Sequence, residues 1–499
     1  MILAAAAALA MAIEAPARTP RLKHSIVGAE VYDLDAHRVL YARNAATLMV
    51  PASTTKLLTE GTSLALLGPD FRWTTPVYRT GPIDTQGALQ GDLVLVASGD
   101  PNLSQRVQRN GTLAFENEDH AYDGSPETKA VPGDPLAVLR ELAAQVAKAG
   151  IKTVHGRILV DTSLLPDQGT EDGTGTTLSS IVVNDNIVDV TVTAGAHSGD
   201  PVSVACSPQT PYVRFVSHAT TGAPKSDTTI DMSSDLAAYG RHTVTITGSQ
   251  PAGSQILYAY RVSDPKTFAQ LSFAKALADV GVVRDLSGDI SGLPPNAADY
   301  TPANLVAKHV SPPLSEEVYI TLKVSDNLHA ALMPYMWGVY LAHAKSDYLK
   351  AGFALEAQML KSAGLDLNQA AQSDGYGGAY FTPDFMVQYL AWARMQRWYP
   401  FLLRGLPIMG VDGTLAAIQR KSPARGKVFA KTGTDGGDNF LNAGSTIEKG
   451  LAGYITTRSG HHVAFAFYLS AMIGPHDEDT GHVAGEILGA MAAATYLNL

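Results

Sequence analysis

The sequence predicts a split α/β domain, an antiparallel sheet flanked by helices, interrupted by β-rich insertions. Three observations predict it. Near the start, Ile26 to Asn44 alternates apolar and polar residues around Asp35-Ala36-His37-Arg38, the pattern of a β-hairpin, and a helix-type run follows. Near the end, Gly426 to Ala430 and then Leu451 to Ser470, turning at Arg458-Ser459-Gly460-His461, bring the chain back to strands. Between them lie short β-type runs, Asp92 to Ala97, Ile158 to Asp161, Val188 to Thr193, Tyr212 to Val216 and His242 to Thr247, separated by Gly, Pro, Ser and Asp clusters.

Taken in order, the chain opens with an apolar, alanine-rich run from Met1 to Ala12, followed by the polar, proline-containing Glu14 to Pro20. The run is too short to span a bilayer and resembles the apolar core and cleavage end of a secretory signal, without the usual basic beginning. Residues 1–12 are therefore expected to be a signal segment, with a mature start near Ile13. After the first hairpin, Pro51 and Ser53 mark a helix start, Leu57, Leu58, Leu64, Leu66 and Leu67 give it an apolar face, and Gly68-Pro69 stops it. Asn110 to Asp134 is acidic and apolar-poor, and Asp167 to Thr177 is Gly/Thr-rich, so both are expected to be exposed or mobile. Lys266 to Val280 reads as a helix, the pattern turns helical again after Ser311, and Leu328 to Ala342 is an apolar helix. No later segment reaches membrane-spanning length without charge.

Composition excludes several functions. With 499 residues the chain should form more than one domain with ample core. A net charge of −10 argues against nucleic-acid binding. Cys206 is the single cysteine, so there is no internal disulfide framework, and it is expected to be a buried small apolar group. The fourteen histidines show no His-Glu-x-x-His pattern, so no metal site and no cofactor is expected, and His461-His462 reads as solvated.

Three short motifs carry the chemistry: Ser53-Thr54-Thr55-Lys56, Ser325-Asp326-Asn327 and Lys431-Thr432-Gly433-Thr434. A Ser-x-x-Lys occurs by chance about once or twice in a chain this long, whereas Lys-Thr-Gly turns up in roughly one such chain in ten. Decoys exist at Ser263-Asp264-Pro265-Lys266 and Ser272-Phe273-Ala274-Lys275, but Ser272 lies mid-helix and Pro265 argues against Ser263. Ser53 sits in the first turn of its helix, where unpaired backbone N–H groups favour a developing negative charge. Lys56 lies one turn on, within reach of the Ser53 hydroxyl. Lys431 to Thr434 follows a strand whose edge offers N–H groups to an extended peptide, and Gly433 would let a substrate backbone approach. Singly, these motifs are an N-cap serine, a second N-cap and a strand-to-turn passage. In this order they describe a serine acyl-transfer site whose base is a lysine.

The chain resembles the penicillin-binding serine peptidases, specifically the D-alanyl-D-alanine carboxypeptidase/endopeptidase family with inserted domains between the first two motifs. Gly99-Asp100-Pro101-Asn102-Leu103-Ser104, Asn184-Asp185-Asn186, Ser311-Pro312-Pro313-Leu314 and Val411-Asp412-Gly413-Thr414-Leu415 extend the resemblance over nearly everything after Leu22. It implies a β-lactamase/transpeptidase-like domain split over residues 22–75 and 307–499, with two nested β-rich inserted domains in 76–306. It also implies an acyl-enzyme on Ser53, with Lys56 as base, held near Lys431. Ser325 relays the proton to the leaving amine, and Asn327 orients the substrate amide and Lys56. The N–H groups of Ser53 and Thr434 form the oxyanion hole, while Lys431, Thr432 and Thr434 receive the terminal carboxylate beside Gly433. The implied partners are peptidoglycan stem peptides and, as inhibitors, β-lactams, with a periplasmic, secreted or cell-surface location. This chain departs from the family at Ala330-Ala331, where an acidic residue is common, and at Ser373 to Tyr380, which lacks the usual arginine. It also has an extra loop from Asp435 to Gly450, and it lacks the tryptophan-containing segment often found before Asn184-Asp185-Asn186. Two other readings of the same core are a slow penicillin- or peptidoglycan-binding scaffold and a β-lactamase or esterase.

Overall fold

Alternation over the first hairpin produces β1 (Ile26–Asp33) and β2 (Arg38–Arg43), and the Asp33 carboxylate fixes the turn by accepting from the N–H groups of Asp35 and Ala36. The computed structural model describes residues 2–166, 168–236, 241–285, 297–475 and 478–499, with side chains from residue 7 onward in the first helix and not at 236. The chain divides into two compact units, residues 1–71 with 314–499, and residues 72–313.

In the first unit, α1 (Ile2–Ala17) precedes the hairpin and α2 (Lys56–Leu66) follows it. The chain re-enters through α3 (Leu314–Val324) and α4 (Asn327–Tyr340), then runs on through α5 (Tyr348–Ser362) and α6 (Pro383–Arg394). Three long strands close it, β3 (Val428–Asn439), β4 (Gly444–Thr456) and β5 (His462–Pro475), before α7 (Thr480–Asn498). The sheet order is β2-β1-β5-β4-β3 with every pairing antiparallel, so β3 is an edge strand. Exit and re-entry are stitched together: the N–H of Leu314 donates to Phe71 O (2.8 Å) and that of Ser315 to Pro69 O (3.0 Å).

One face of the sheet carries an apolar core in which Val27, Ala29, Val31, Phe465 and Phe467 meet Leu488, Met491 and Ala492 of α7. Helix α1 packs on α7 and adds Leu9, Ile13 and Ala17 to that core. The segment expected as a signal thus forms, from Ile2 onward, the first turns of α1, with Leu9 buried. Among the described residues no helix is long and apolar enough to cross a membrane.

The expected loop from Asp435 to Gly450 is instead the end of a long β3–β4 hairpin, paired through Asn439 and Gly444, with Phe440 and Leu441 out in solvent at its tip. Two glycines and alternating polar residues suit a strand with one open side, a pattern without enough apolar residues to be recognised from sequence.

The second unit holds a four-stranded sheet in the order 305–310, 74–79, 93–96, 158–161, and a three-stranded sheet in the order 255–261, 187–193, 203–207. Two helices, Ala137–Lys148 and Pro265–Asp279, pack on a single apolar core. Two segments expected to be exposed each contain buried charge. Within Asn110 to Asp134, Asp119 and His120 are fully buried, because Arg106 forks onto Asp119 (2.5 and 2.9 Å) and Asp185 (2.7 Å). His120 bridges Asp185 (2.9 Å) and Asp189 (2.8 Å); burial lowers its pKa, but the two carboxylates outweigh it and push the ring up to about 10. In the Gly/Thr-rich segment, whose first residue Asp167 lies outside the described residues, the buried Glu171 accepts from the N–H groups of Gly173 and Thr174 (2.8 Å each). Polar composition read as exposure misses charges that are buried in pairs. Cys206 is half-buried rather than buried, since it sits on a strand with one face only partly covered.

Candidate active site

Ser53 is held in a 3₁₀ turn, Ala52–Thr55, that leads into α2, rather than in the α-helix itself. Its side chain caps nothing, so its hydroxyl stays available to the site. The turn is seated on the sheet: Thr54 and Thr55 donate back to Pro51 O (2.9 Å) and Ala52 O (2.8 Å), and two cross-strand glycines lie beneath it. A methyl on Gly433 would stand 2.3 Å from Pro51 O and 3.1 Å from Ser53 N, and one on Gly450 would stand 2.8 Å from Pro51 O. Gly433 makes room for the backbone of the turn that carries Ser53.

Ser325 precedes α4 with a left-handed backbone, φ 67°, and the N-cap role falls to Asp326, whose carboxylate accepts from His329 N (3.0 Å). Because Asp326 takes the capping duty, Ser325 is turned into the site.

Lys56 joins the first two motifs, and Ser325 joins them to the third. Fully buried, the Lys56 Nζ donates to Ser53 Oγ (2.8 Å) and Asn327 Oδ1 (2.6 Å), and reaches Ser325 Oγ (3.4 Å) and Tyr376 O (3.3 Å). Lys431, also fully buried, donates to Ser325 Oγ (2.8 Å) and Thr432 O (2.9 Å). Ser325 therefore stands between two amines. Burial, the charge of Lys56 and then that of Lys449 hold Lys431 well below the usual lysine range. Thr432 Oγ1 pairs with Thr414 Oγ1 (2.7 Å), and Thr434 lies exposed on β3. All eight residues read from sequence belong to this unit. The decoys do not assemble: Lys275 pairs with Asp279 (3.0 Å), and Ser272 is buried mid-helix.

Several supporting residues went unread in the sequence. Lys323, two residues before Ser325, is buried and donates to Leu406 O (2.7 Å) and both oxygens of Asp412 (2.6 and 2.8 Å). Gly413 follows with φ 57°, and a methyl there would stand 2.6 Å from Lys323 O, so the 411–415 segment packs directly on the last turn of α3, which leads to Ser325. The segment without the usual arginine works through its backbone. Asp374 Oδ1 accepts from the N–H groups of Tyr376 (2.9 Å), Gly377 (2.8 Å) and Gly378 (2.9 Å), shaping a turn whose Tyr376 carbonyl meets Lys56. Glu60, one turn beyond Lys56, is buried, and burial followed by the charge of Glu317 holds its carboxyl well above the ordinary range. A neutral Glu60 adds no negative charge beside Lys56. A lysine, a glutamate or a tyrosine carbonyl at these positions has no motif of its own, so spacing could not mark them.

Comparison with known proteins adds an independent finding. Residues 9–491 match the family described as D-Ala-D-Ala carboxypeptidase 3 (S13). A D-alanyl-D-alanine carboxypeptidase from Actinomadura sp. is 30% identical over 473 residues, spanning 90% of this chain and 80% of that protein. D-alanyl-D-alanine carboxypeptidase DacB from Haemophilus influenzae is 22% identical over 89% of this chain and 85% of its own length. In fold, the chain is similar to penicillin binding protein 4 (dacB) from Haemophilus influenzae, with a TM-score of 0.71, 20% identity, and coverage of 94% of this chain and 96% of that one.

Proposed function

This chain belongs to the D-Ala-D-Ala carboxypeptidase 3 (S13) family and is a serine-type D-alanyl-D-alanine carboxypeptidase, and from that premise we propose that Ser53 is its nucleophile, Lys56 its base and Ser325 its proton relay. The observation that carries the assignment is the short path from Ser53 Oγ to Lys56 Nζ (2.8 Å), with Ser325 Oγ shared between Lys56 (3.4 Å) and Lys431 (2.8 Å).

Serine is a poor nucleophile until its proton is removed, and an amine can remove it only when neutral. Two amines on one hydroxyl repel when both are charged, so the pair favours a state that lacks one proton. In that state Lys56 takes the Ser53 proton as Oγ attacks the carbonyl carbon of the penultimate D-alanine. The oxyanion is received by the backbone N–H groups of Ser53 and Thr434, worth about 3–4 kcal/mol per donor in comparable sites. The proton then passes from Lys56 through Ser325 to the departing D-alanine amine, and the C–N bond breaks. Water hydrolyses the ester on Ser53, which regains its proton. Asn327 keeps Lys56 aimed, and its amide N–H₂ is suited to a substrate carbonyl. The extended peptide lies along the open edge of β3.

The substrate class is the D-alanyl-D-alanine end of peptidoglycan stem peptides, which places the mature enzyme in the periplasm or at the cell surface. A β-lactam enters by the same attack, and its tethered leaving group keeps the acyl-enzyme from clearing. Residues 76–306 are assigned as inserted domains that interrupt the catalytic one. The test is incubation with an acyl-D-alanyl-D-alanine peptide and with purified muropeptides, products being read by mass spectrometry. The wild type should release D-alanine and Ser53→Ala should release none. D-alanine release that survives Ser53→Ala would overturn the assignment.

A further inference from the structure

The terminal carboxylate of a D-alanyl-D-alanine peptide needs a cation at the mouth of the site, and Lys431 is poorly placed to be that cation. It is fully buried, and two of its three N–H donors are taken by Ser325 Oγ and Thr432 O. A different ammonium stands at the open end. Register places Lys449 of β4 directly across from Thr434 of β3, and its Nζ donates to Thr434 Oγ1 at 2.6 Å. We propose that Lys449 is a specificity residue that binds the substrate's terminal carboxylate together with the Thr434 hydroxyl, an inference that rests on the carboxypeptidase reading of this site.

Several observations converge on it. Lys449 is half-buried, and among the described residues its ammonium has one hydrogen bond and no carboxylate within salt-bridge distance. Two donors are left for an incoming anion. Since the ammonium donates to Thr434, the threonine's own hydrogen turns outward and can donate to the same anion, so a carboxylate would be held by one charged and one neutral donor. The exposed Thr434 hydroxyl is thereby fixed in orientation before substrate arrives. Burial lowers Lys449 itself to about 8, partly offset by the charge of Asp479 at the start of α7. Among the described residues no carboxylate neutralises this ammonium outright. The strand motif could not reveal it, because the cation belongs to the neighbouring strand and arrives only after the chain has turned back through the hairpin tip.

The test separates charge recognition from chemistry. Two thioester substrates of one acyl-D-alanine are compared, one with a thioglycolate leaving group that ends in a carboxylate and one with its methyl ester; the reactive thiol keeps both measurable. Lys449→Met preserves the apolar stem and removes the charge. Its kcat/KM on the carboxylate substrate should fall about 30-fold, the usual worth of a hydrogen bond to a charged group. On the methyl ester it should change less than threefold, and Lys449→Arg should recover most of the loss. Thermal unfolding of each variant checks that the sheet is intact. Equal losses on both substrates, or no loss on either, overturn the proposal. Absence of Ser53-dependent thioester hydrolysis in the wild type would instead overturn the underlying assignment of the nucleophile.

Discussion

Replacing Gly433 by alanine should disable acylation by distance alone, without touching any group that reacts. The added methyl would stand 2.3 Å from Pro51 O, 3.1 Å from Ser53 N and 3.2 Å from Ala52 Cβ. Ordinary contacts of carbon begin near ~3.4 Å, so β3 and the turn that carries Ser53 must part by about 1 Å. Pro51 O cannot swing away cheaply, because it accepts from both Thr54 N (3.1 Å) and Thr54 Oγ1 (2.9 Å). The displacement should cost about 1–3 kcal/mol of stability, as overpacking does. Its effect on rate should be larger, because the two N–H groups proposed for the oxyanion hole, those of Ser53 and Thr434, lie on the two segments being separated. A misplacement of about 1 Å costs roughly 100-fold. The assay is the rate of covalent labelling by a fluorescent penicillin, with Gly437→Ala as control, since a methyl there meets nothing within 4 Å on the same strand. Labelling of Gly433→Ala within about threefold of wild type would refute the close-packed account of the site.

Ser53→Ala should abolish penicillin labelling while Ser272→Ala and Ser263→Ala leave it intact, read by mass of the labelled chain; surviving label on Ser53→Ala would move the nucleophile elsewhere. Lys56→Arg keeps the charge but cannot offer a neutral amine, so acylation should drop by orders of magnitude in the same labelling time course, and a near wild-type rate would give the base role to another residue. Glu356 is fully buried with Thr62 Oγ1 donating to it (3.0 Å), and burial raises its carboxyl from 4.5 to about 7. Its folded pKa exceeds the unfolded one, so the folded state binds the extra proton and stability declines as pH rises from about 4.5 to about 7, then levels off. Glu356→Gln should match wild type in urea unfolding at pH 4.5 and exceed it by about 3 kcal/mol at pH 8. An equal difference at both pH values would rule out that linkage.

The split α/β architecture was legible because both of its ends carry simple periodic signals. The alternation of Ile26 to Asn44 and the apolar stretch from Leu451 are both strands, β1 and the last strands being largely buried, and their pairing in one sheet follows once each is recognised. The order of the three motifs likewise pointed to residues that do meet, at Lys56 and at Ser325. What spacing could not supply was the support around them. Lys323, Asp412 and Lys449 act through partners 89 and 15 residues away, and such pairs leave no local pattern. The strand beyond Thr434 was read as a loop because its glycines and aspartates lack strand propensity, and pairing with β4 overrides that. Buried charge was missed for a related reason. Asp119 and His120 look like surface residues until Arg106 and Asp185 are placed beside them.

The stitched junction between Phe71 and Leu314 closes only after residues 72–313 have been made, so the first unit is completed late in synthesis. On the Ser53 assignment, the serine and Lys56 leave the ribosome early, but Ser325, Lys431 and strand β3 follow much later. At ordinary rates of translation the interval between Ser53 and Lys431 lasts on the order of tens of seconds. In that window residues 72–313 form a contiguous unit with a core of their own, able to fold while the segment before them waits. On that assignment, a nascent chain would carry an unarmed serine until the last strands close the sheet, and reactivity would begin only then.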